Sequence, residues 1–575
     1  MQALRLEAKQ LIPDFSAANA PVDTAPMAPW LLGQQRCQQA WQLFQRCPGQ
    51  HLFLSSFSGF DPESLLESLY QANPLVEAPG YLVAEQLESQ QRLSKVPADQ
   101  WQGESDQRTL LLELGGIRFV DQPLSRKTLL GTIDKEGHYH PGLLASCEVL
   151  VIPAEGLMDK PSRWLLIKEA IKRGYLAFSG SAVRIPLTCK LVVLGDALAY
   201  DALNAFDPEF ADHVPLLAEA QPEWFVDNSE DLPQWLSCAS ATAQAYAERN
   251  LTPCGQTQLA QYASRLCEHQ NRLSLAWHQL GQLLAQCEGE EEISAAHIKA
   301  ALQAQSHRHN SVEIYAQRNV EEALVRVDTQ GDKIGQINGL TVVDYFGHSY
   351  GEPARITVSV HYGDGEVADI ERKSELGGNI HAKGMMILSA CLYRLFGQDE
   401  PLHLSANIVF EQSYQTIDGD SASLAEYCCL MSTIADVPVK QSLALTGAID
   451  QFGNVQAIGG INEKIEGFFH LCRYRGLTGD QGVILPSANL LQLNLSDEVV
   501  EAVNKGEFHL YHVDNAEDAL ALLTGKAIGE ADKEGRYPEE SLYGLVQDRL
   551  DLMAGNTPPP PGLLVRLLSK LRRDS

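Results

Sequence analysis

Apolar positions along the chain fall into two rhythms. Short unbroken runs, His51-Leu-Phe-Leu-Ser-Ser56, Glu148-Val-Leu-Val-Ile-Pro153 and Lys190-Leu-Val-Val-Leu-Gly195, predict strands buried on both faces. Ser58-Gly-Phe-Asp-Pro62 breaks the first run. The helical pattern from Glu63 to Gln71 follows, with Asp61 as its N-cap and Pro62 in its first turn. A second helix is expected from about Ser162 to Arg173. Strands alternating with helices predict a doubly wound α/β domain over 46–232, preceded by a mixed lead-in, 1–45, with a Pro/Ala-rich stretch at 18–29.

From 233 to 311 the pattern changes to long Ala-, Leu- and Gln-rich helical periods, which predict an α-helical subdomain. From 312 to 528 it is mixed α+β, with strands expected near 323–328, 340–346, 354–362, 403–411, 443–450 and 482–486. Residues 529–575 read as a charged, Pro-rich tail (Thr557-Pro-Pro-Pro-Pro561). Its basic end places Leu564, Leu567, Leu568 and Leu571 on one helical face. That short helix is read as docking on the parent or a neighbouring subunit, ahead of contact with anionic lipid.

A chain of 575 residues has room for three or four such domains. Lys plus Arg is 44 and Asp plus Glu is 74, a net charge of −30 that argues against a dedicated nucleic-acid binder. Twelve scattered cysteines with no C-x-x-C pair read as reduced thiols of a cytoplasmic protein. His307-Arg-His309 has no Cys or acidic neighbour, and no metal is assigned. No secretory signal is seen, and no apolar run reaches the roughly 18–20 residues of a membrane span.

Two segments carry candidate chemistry. Asp418-Gly-Asp-Ser-Ala422 follows a strand-like run and opens a helical stretch to Ala435. Ser421 then sits near a helix N-terminus, where unpaired N–H groups of residues 419–421 could support negative charge. Gly459-Gly-Ile-Asn-Glu-Lys464 turns from a strand into another helix, with Lys464 in its first turn among Ile465, Phe468 and Phe469. A lysine buried there should have a lowered pKa, as a base for a serine needs. Taken singly, Asp418, Asp420 and Ser421 also fit plain helix caps, and Lys464 a solvated surface lysine.

Together the two segments resemble the active site of the Lon family of Ser–Lys proteases. Asp-Gly-x-Ser-Ala stands in full at 418–422, and Gly-Gly-x-x-x-Lys at 459–464 places the lysine 43 residues after the serine. Leu445-Thr446-Gly447-Ala448-Ile449 and Gly482-Val-Ile-Leu-Pro486 also match. Gly335-Gln-Ile-Asn-Gly339 and Gly378-Asn-Ile-His-Ala-Lys383 look closest to the archaeal-type branch and its bacterial relatives.

The resemblance implies that Ser421 is the nucleophile and Lys464 the general base. Thr446 would orient the lysine, Asp418 would position the loop or the lysine, and Gly419 and Asp420 would flank the nucleophile. Two departures stand out. Ala448 occupies a position where some Lon proteases have Glu, and Asp420 lies where many have Pro or another uncharged residue.

The resemblance also implies an AAA+ module ahead of the protease, and the expected fold is therefore multidomain. A degenerate AAA+ α/β core is followed by an α-helical lid and a Lon-type α+β proteolytic domain. Ile293-Ser-Ala-Ala-His-Ile-Lys-Ala-Ala301 resembles the end of such a lid, and 184–196 and 207–210 resemble core segments.

ATP–Mg is implied by the family, yet no intact phosphate loop exists. Ser55-Ser-Phe-Ser-Gly-Phe-Asp-Pro-Glu-Ser64 has no Lys and carries Asp61 and Glu63. Pro153-Ala154 stands where the magnesium-binding acid belongs, next to Glu155. Little or no ATP hydrolysis is expected, and no cofactor is required by the sequence. The leading expectation is a cytoplasmic serine endopeptidase acting on unfolded or flexible polypeptides, in a homo-oligomeric, hexameric ring by resemblance. The alternative is a catalytically idle chaperone-like or regulatory binding protein on the same scaffold.

Overall fold

The computed structural model describes residues 4–15, 28–72, 80–87, 90–97, 109–112, 116–120, 124–133, 139–178, 184–187, 189–363, 367–373, 376–397, 402–413 and 417–555. Most of the Pro/Ala-rich stretch and the expected basic helix at 563–573 lie outside them. The chain forms two compact units, Phe15–Cys267 with Asn271–Leu302, and Met1–Asp14 with Glu268–Gln270 and Gln303–Ser575.

The first unit is built on a parallel sheet of β1 (Leu52–Ser55), β2 (Ile117–Phe119), β3 (Val149–Pro153), β4 (Lys190–Gly195) and β5 (Leu216–Glu219), in the order β5-β1-β4-β3-β2. The registers Leu52↔Val192, Leu52↔Leu216 and Val149↔Lys190 align the strands. Alternate residues feed opposite faces. Leu52, Leu54, Val149, Val151 and Val192 pack with Trp41 and Phe44 of α1 (Gln35–Arg46) and Leu65, Leu66 and Leu69 of α2 (Pro62–Ala72). Phe53, Leu150, Ile152, Leu191 and Val193 pack with Trp164 and Ile167 of α3 (Ser162–Arg173) and Leu203 of α4 (Ala197–Phe206). Burial on both faces is why these strands read as unbroken apolar runs.

The stretch read as an irregular lead-in contains α1, whose Cys37, Trp41 and Phe44 are buried. A second five-stranded sheet, formed by Gly80–Leu87, Gln90–Pro97, Thr109–Leu112, Tyr175–Ala177 and Arg184–Pro186, was not expected, although Tyr81-Leu-Val-Ala84 and Leu110-Leu-Leu112 are short apolar runs. The helical subdomain comprises α5 (Asp231–Ala247), α6 (Pro253–Leu266), α7 (Trp277–Ala285) and α8 (Ala295–His307), around Trp235 and Trp277.

The second unit holds a seven-stranded mixed sheet. Its strands are β6 (Gln336–Tyr345), β7 (His348–Tyr362), β8 (Val367–Asp369), β9 (Leu404–Glu411), β10 (Leu443–Leu445), β11 (Gly482–Pro486) and β12 (His509–Val513). They run in the order β8-β9-β7-β6-β10-β11-β12. β6 and β7 form a hairpin closed by Phe346 and Gly347, both with positive φ, the backbone a two-residue turn requires.

Residues 323–328, expected as a strand, form none; the segment follows the helix Ser311–Glu321 as an irregular connection. The expected strand 443–450 breaks at Thr446–Gly447 into β10 and a short piece, Ala448–Ile449, paired with Val455–Gln456. Three helices bear on the site: α9 (Asn379–Phe396), α10 (Ser423–Ala435) and α11 (Ile461–Arg475). α10 is buried on nearly every side, with 12 of its 13 residues in the core, so the loop leading into it is rigidly held. The segment read as a tail supplies α12 (Leu542–Met553), whose Leu542, Tyr543, Val546 and Leu550 join the same core. No described helix is long and apolar enough to cross a membrane.

Candidate active site

Ser421 stands in the loop 417–422, two residues before α10. Its carbonyl oxygen accepts from the Gly447 amide at 2.9 Å and from Thr446 Oγ1 at 3.3 Å. The Leu424 amide donates back to the Gly447 carbonyl at 3.1 Å, and the Ile449 amide donates to Ser423 Oγ at 3.1 Å. The break after β10 therefore stitches Thr446–Gly447 onto the serine loop.

Lys464 lies in the first turn of α11 and is 3% exposed. Its Nζ donates to Ser421 Oγ at 2.8 Å and to Thr446 Oγ1 at 3.4 Å. Burial pushes the ammonium pKa down to about 8, against the Asp420 carboxylate, which raises it. Roughly a tenth of the lysine is then neutral at pH 7 and about half at pH 8. Ala448 brings no carboxylate, so Asp420 is the charge that tunes the lysine.

α11 approaches β7 backbone to backbone. A Cβ on Gly351 would lie 2.1 Å from the Glu463 carbonyl oxygen and 2.8 Å from Lys464 Cα. Gly460 enters α11 in the left-handed region (φ 64°), with Val342 against its α-carbon. Asn462 fixes the same turn: its Nδ2 donates to the Gln492 carbonyl at 2.8 Å, and its Oδ1 accepts from the Asn494 amide at 2.8 Å. Asn489 holds Ile458 by both its amide and its carbonyl.

Asp418 does not turn to the lysine. Its Oδ1 accepts from the amides of Ile380 (3.1 Å), His381 (3.4 Å) and Gly419 (3.0 Å), capping α9. Gly419's amide is thereby occupied. Beneath the loop, His381 Nε2 and Glu426 Oε1 lie 3.9 Å apart, with side chains 2% and 1% exposed. Glu426, Gly351 and Asn489 are named in no motif, and His381 and Asn462 stand in the matched strings 378–383 and 459–464 without an expected role. An isolated His, Asn or Gly carries no local signal of what it will meet in space. Val342, Asp418, Gly419, Asp420, Ser421, Ala457, Ile458, Gly459, Lys464 and Gln492 line one open cleft of about 550 Å³.

In the first unit, the turn between β1 and α2 is closed by its own residues. Asp61 caps α2, accepting from the Glu63 (3.0 Å) and Ser64 (3.3 Å) amides and from Ser64 Oγ (2.6 Å). Phe57 and Phe60 stack at 4.8 Å, and Trp30 meets Phe60 edge-on at 5.6 Å. Gly59's carbonyl accepts from the Gln279 amide at 3.1 Å. A cleft of about 560 Å³ at the carboxyl ends of β1, β3 and β4 is lined by Glu155 and Asp196 and by no Lys or Arg. These residues do not fit a nucleotide triphosphate: anionic side chains stand where amides and a lysine are needed. Among the described residues, no group of three or more His, Cys, Asp or Glu is placed to hold a metal ion.

Residues 326–525 match the family model of the Lon protease (S16) C-terminal proteolytic domain. Residues 250–308 match that of the archaeal LonB AAA+ ATPase lid domain. A protein of Escherichia coli (strain K12) named putative Lon protease homolog is 38% identical over 430 residues, 71% of this chain and 72% of that protein. A Haemophilus influenzae protein of the same name is 38% identical over 432 residues, 72% of this chain and 71% of its own. An archaeal Lon protease of Archaeoglobus fulgidus is 27% identical over 274 residues, 46% of this chain and 41% of that protein. Fold and matches together place the chain in a serine peptidase family with an AAA+-type lid. The chain belongs to the Lon protease family.

Proposed function

We infer that the chain is a serine endopeptidase that cuts unfolded or flexible polypeptides with Ser421 as nucleophile and Lys464 as base. The observation that carries this is the 2.8 Å contact between Lys464 Nζ and Ser421 Oγ, with the lysine buried and its pKa brought down to about 8. Neutral Lys464 takes the Ser421 proton as Oγ attacks the scissile carbonyl. The Asp420 and Ser421 amides receive the oxyanion. The lysine then returns the proton to the leaving amine, and a water attacks the acyl-serine by the same route. Thr446, 3.4 Å from Nζ, keeps the amine aimed at Oγ.

The α/β unit with its helical subdomain is taken as a degenerate AAA+ core and lid that neither requires nor hydrolyses ATP. The carboxylate cap of Asp61 and the aromatic filling by Phe57 and Phe60 support that reading. A homo-oligomeric ring and a cytoplasmic location are carried over from the family.

The test is digestion of an unfolded protein by the purified chain and by Ser421→Ala, each with and without ATP–Mg. Cleavage by the parent alone, unchanged by ATP, is expected. Stimulation by ATP overturns the nucleotide reading. Absence of cleavage overturns the peptidase reading and leaves the binding scaffold.

A further inference from the structure

We propose that the Asp420 carboxylate reads a basic side chain beside the scissile bond, so that the preferred substrates are Lys- or Arg-bearing extended polypeptides. This rests on Ser421 and Lys464 being a working dyad. Asp420 precedes the nucleophile and lines its cleft. It is half-buried, and among the described residues its carboxylate has neither an ion-pair nor a hydrogen-bond partner. Its Cβ lies against Gly384 of α9, which closes that side.

Lys464 is the only cation in the remaining lining, and it forms no ion pair with Asp420. Val342, Ala457, Ile458 and Gly459 are apolar, Gln492 is neutral, and Lys464 is engaged with Ser421 and Thr446. Asp418 adds a second carboxylate at the rim, with one oxygen already on the α9 amides. A half-buried carboxylate in this cleft, with no ion pair of its own, is placed to take a cation that the substrate brings. A chain of net charge −30 also draws basic polypeptides toward it.

A basic side chain seated there has a second effect. Asp420 is the group that favours the protonated form of Lys464. Pairing that carboxylate with a substrate cation weakens its hold on the lysine proton and frees the base. Basic substrates should therefore gain in kcat as well as in KM.

The experiment uses the full chain and unfolded peptides identical except for one residue (Lys, Met or Glu), placed in turn on each side of the cleaved bond. kcat/KM ratios are read by mass spectrometry at low and high salt, for the parent and Asp420→Asn. At one position Lys is expected to exceed Met by about tenfold, with Glu below both, and the ratio should shrink with salt. In Asp420→Asn it should fall toward one; a ratio within one enzyme cancels any general change in activity. Equal rates, a preference for Glu, or a Lys preference that survives Asp420→Asn overturns the proposal.

The same fluorescent peptides titrated against Ser421→Ala report the charge preference by anisotropy without cleavage. No tighter binding of the Lys peptide than the Met peptide also overturns it. A parent that binds by charge and cuts nothing instead marks failure of the dyad reading.

Discussion

Asp418 and Ile380 are joined by a 3.1 Å hydrogen bond from the Ile380 amide to Asp418 Oδ1, so the carboxylate three residues before Ser421 closes the first turn of α9. The same oxygen takes the amides of His381 and Gly419, tying the serine loop to a helix end. An N-cap of this kind contributes about 1 kcal/mol, more when it also anchors a loop. Asp418→Ala should lower thermal stability by that order and lower kcat roughly 10- to 100-fold, because the nucleophile loses its anchor. Asp418→Asn, which keeps an acceptor oxygen, should recover most of the stability and part of kcat. Loss of activity with an unchanged melting curve and no rescue by Asn would place the carboxylate in the proton chemistry instead.

The base sets the pH profile. Lys464 must be neutral to accept the Ser421 proton, so kcat/KM should rise with pH and reach half its plateau near pH 8. Asp420 raises the lysine pKa, so Asp420→Asn should move that limb to lower pH. A limb that stays in place in the variant would show that the two groups do not communicate.

The same burial has a stability cost of predictable sign. The folded pKa of Lys464, about 8, lies below the ordinary value of 10.5. Below about pH 8 both states carry the proton, and the folded state bears the full penalty of a buried ammonium. As pH rises from 8 through 10.5 the unfolded state loses its advantage, and stability increases. Lys464→Met should therefore be inactive yet more stable at pH 7, by about 1–3 kcal/mol in denaturant titration. The gain should vanish toward pH 10.5. A less stable variant at pH 7 would mean that the bonds to Ser421 and Thr446 outweigh the desolvation.

Gly351 shows what a sequence leaves unread. The serine and lysine motifs were legible because each is a local string: Asp418 to Ala422, and Gly459 to Lys464. Strands β1, β3, β4, β9 and β11 were legible because burial on one or both faces writes itself into consecutive residues. β12 and the 80–112 hairpin region were not, since His509-Leu-Tyr-His-Val513 and Gly80 to Pro97 mix polar and apolar positions without a clean period. Helix α12 was hidden behind charged flanks, although its buried residues Leu542, Val546 and Leu550 follow helical spacing. Gly351 itself lies mid-strand, and only the fold reveals that α11 rests on it. Gly351→Ala must displace the Glu463–Lys464 backbone, at about 2–4 kcal/mol, and pull Nζ from Ser421 Oγ. The expected readout is a fall in kcat at temperatures where the variant remains folded. Full activity there would mean that α11 shifts without carrying the lysine.

The turn ending in Asp61 makes the sharpest claim about the first unit. A nucleotide phosphate at the start of α2 would compete with a carboxylate already bonded to the Glu63 and Ser64 amides, and the two anions would repel. The room beside it is taken by Phe57 and Phe60, whose stacking belongs to the core around Trp41 and Leu65. Any ligand that binds the folded state raises the melting temperature in proportion to RT ln(1 + [L]/Kd). Millimolar ATP–Mg should therefore leave the melting curve of this unit in place. Asp61→Ala should lose about 1 kcal/mol of stability without gaining nucleotide affinity, because removing the cap does not supply a lysine or clear the aromatic rings. A shift of several degrees with ATP–Mg in the parent chain would show that the triphosphate finds cationic partners elsewhere. The cleft lined by Glu155 and Asp196 would then be the first place to look for a rearrangement.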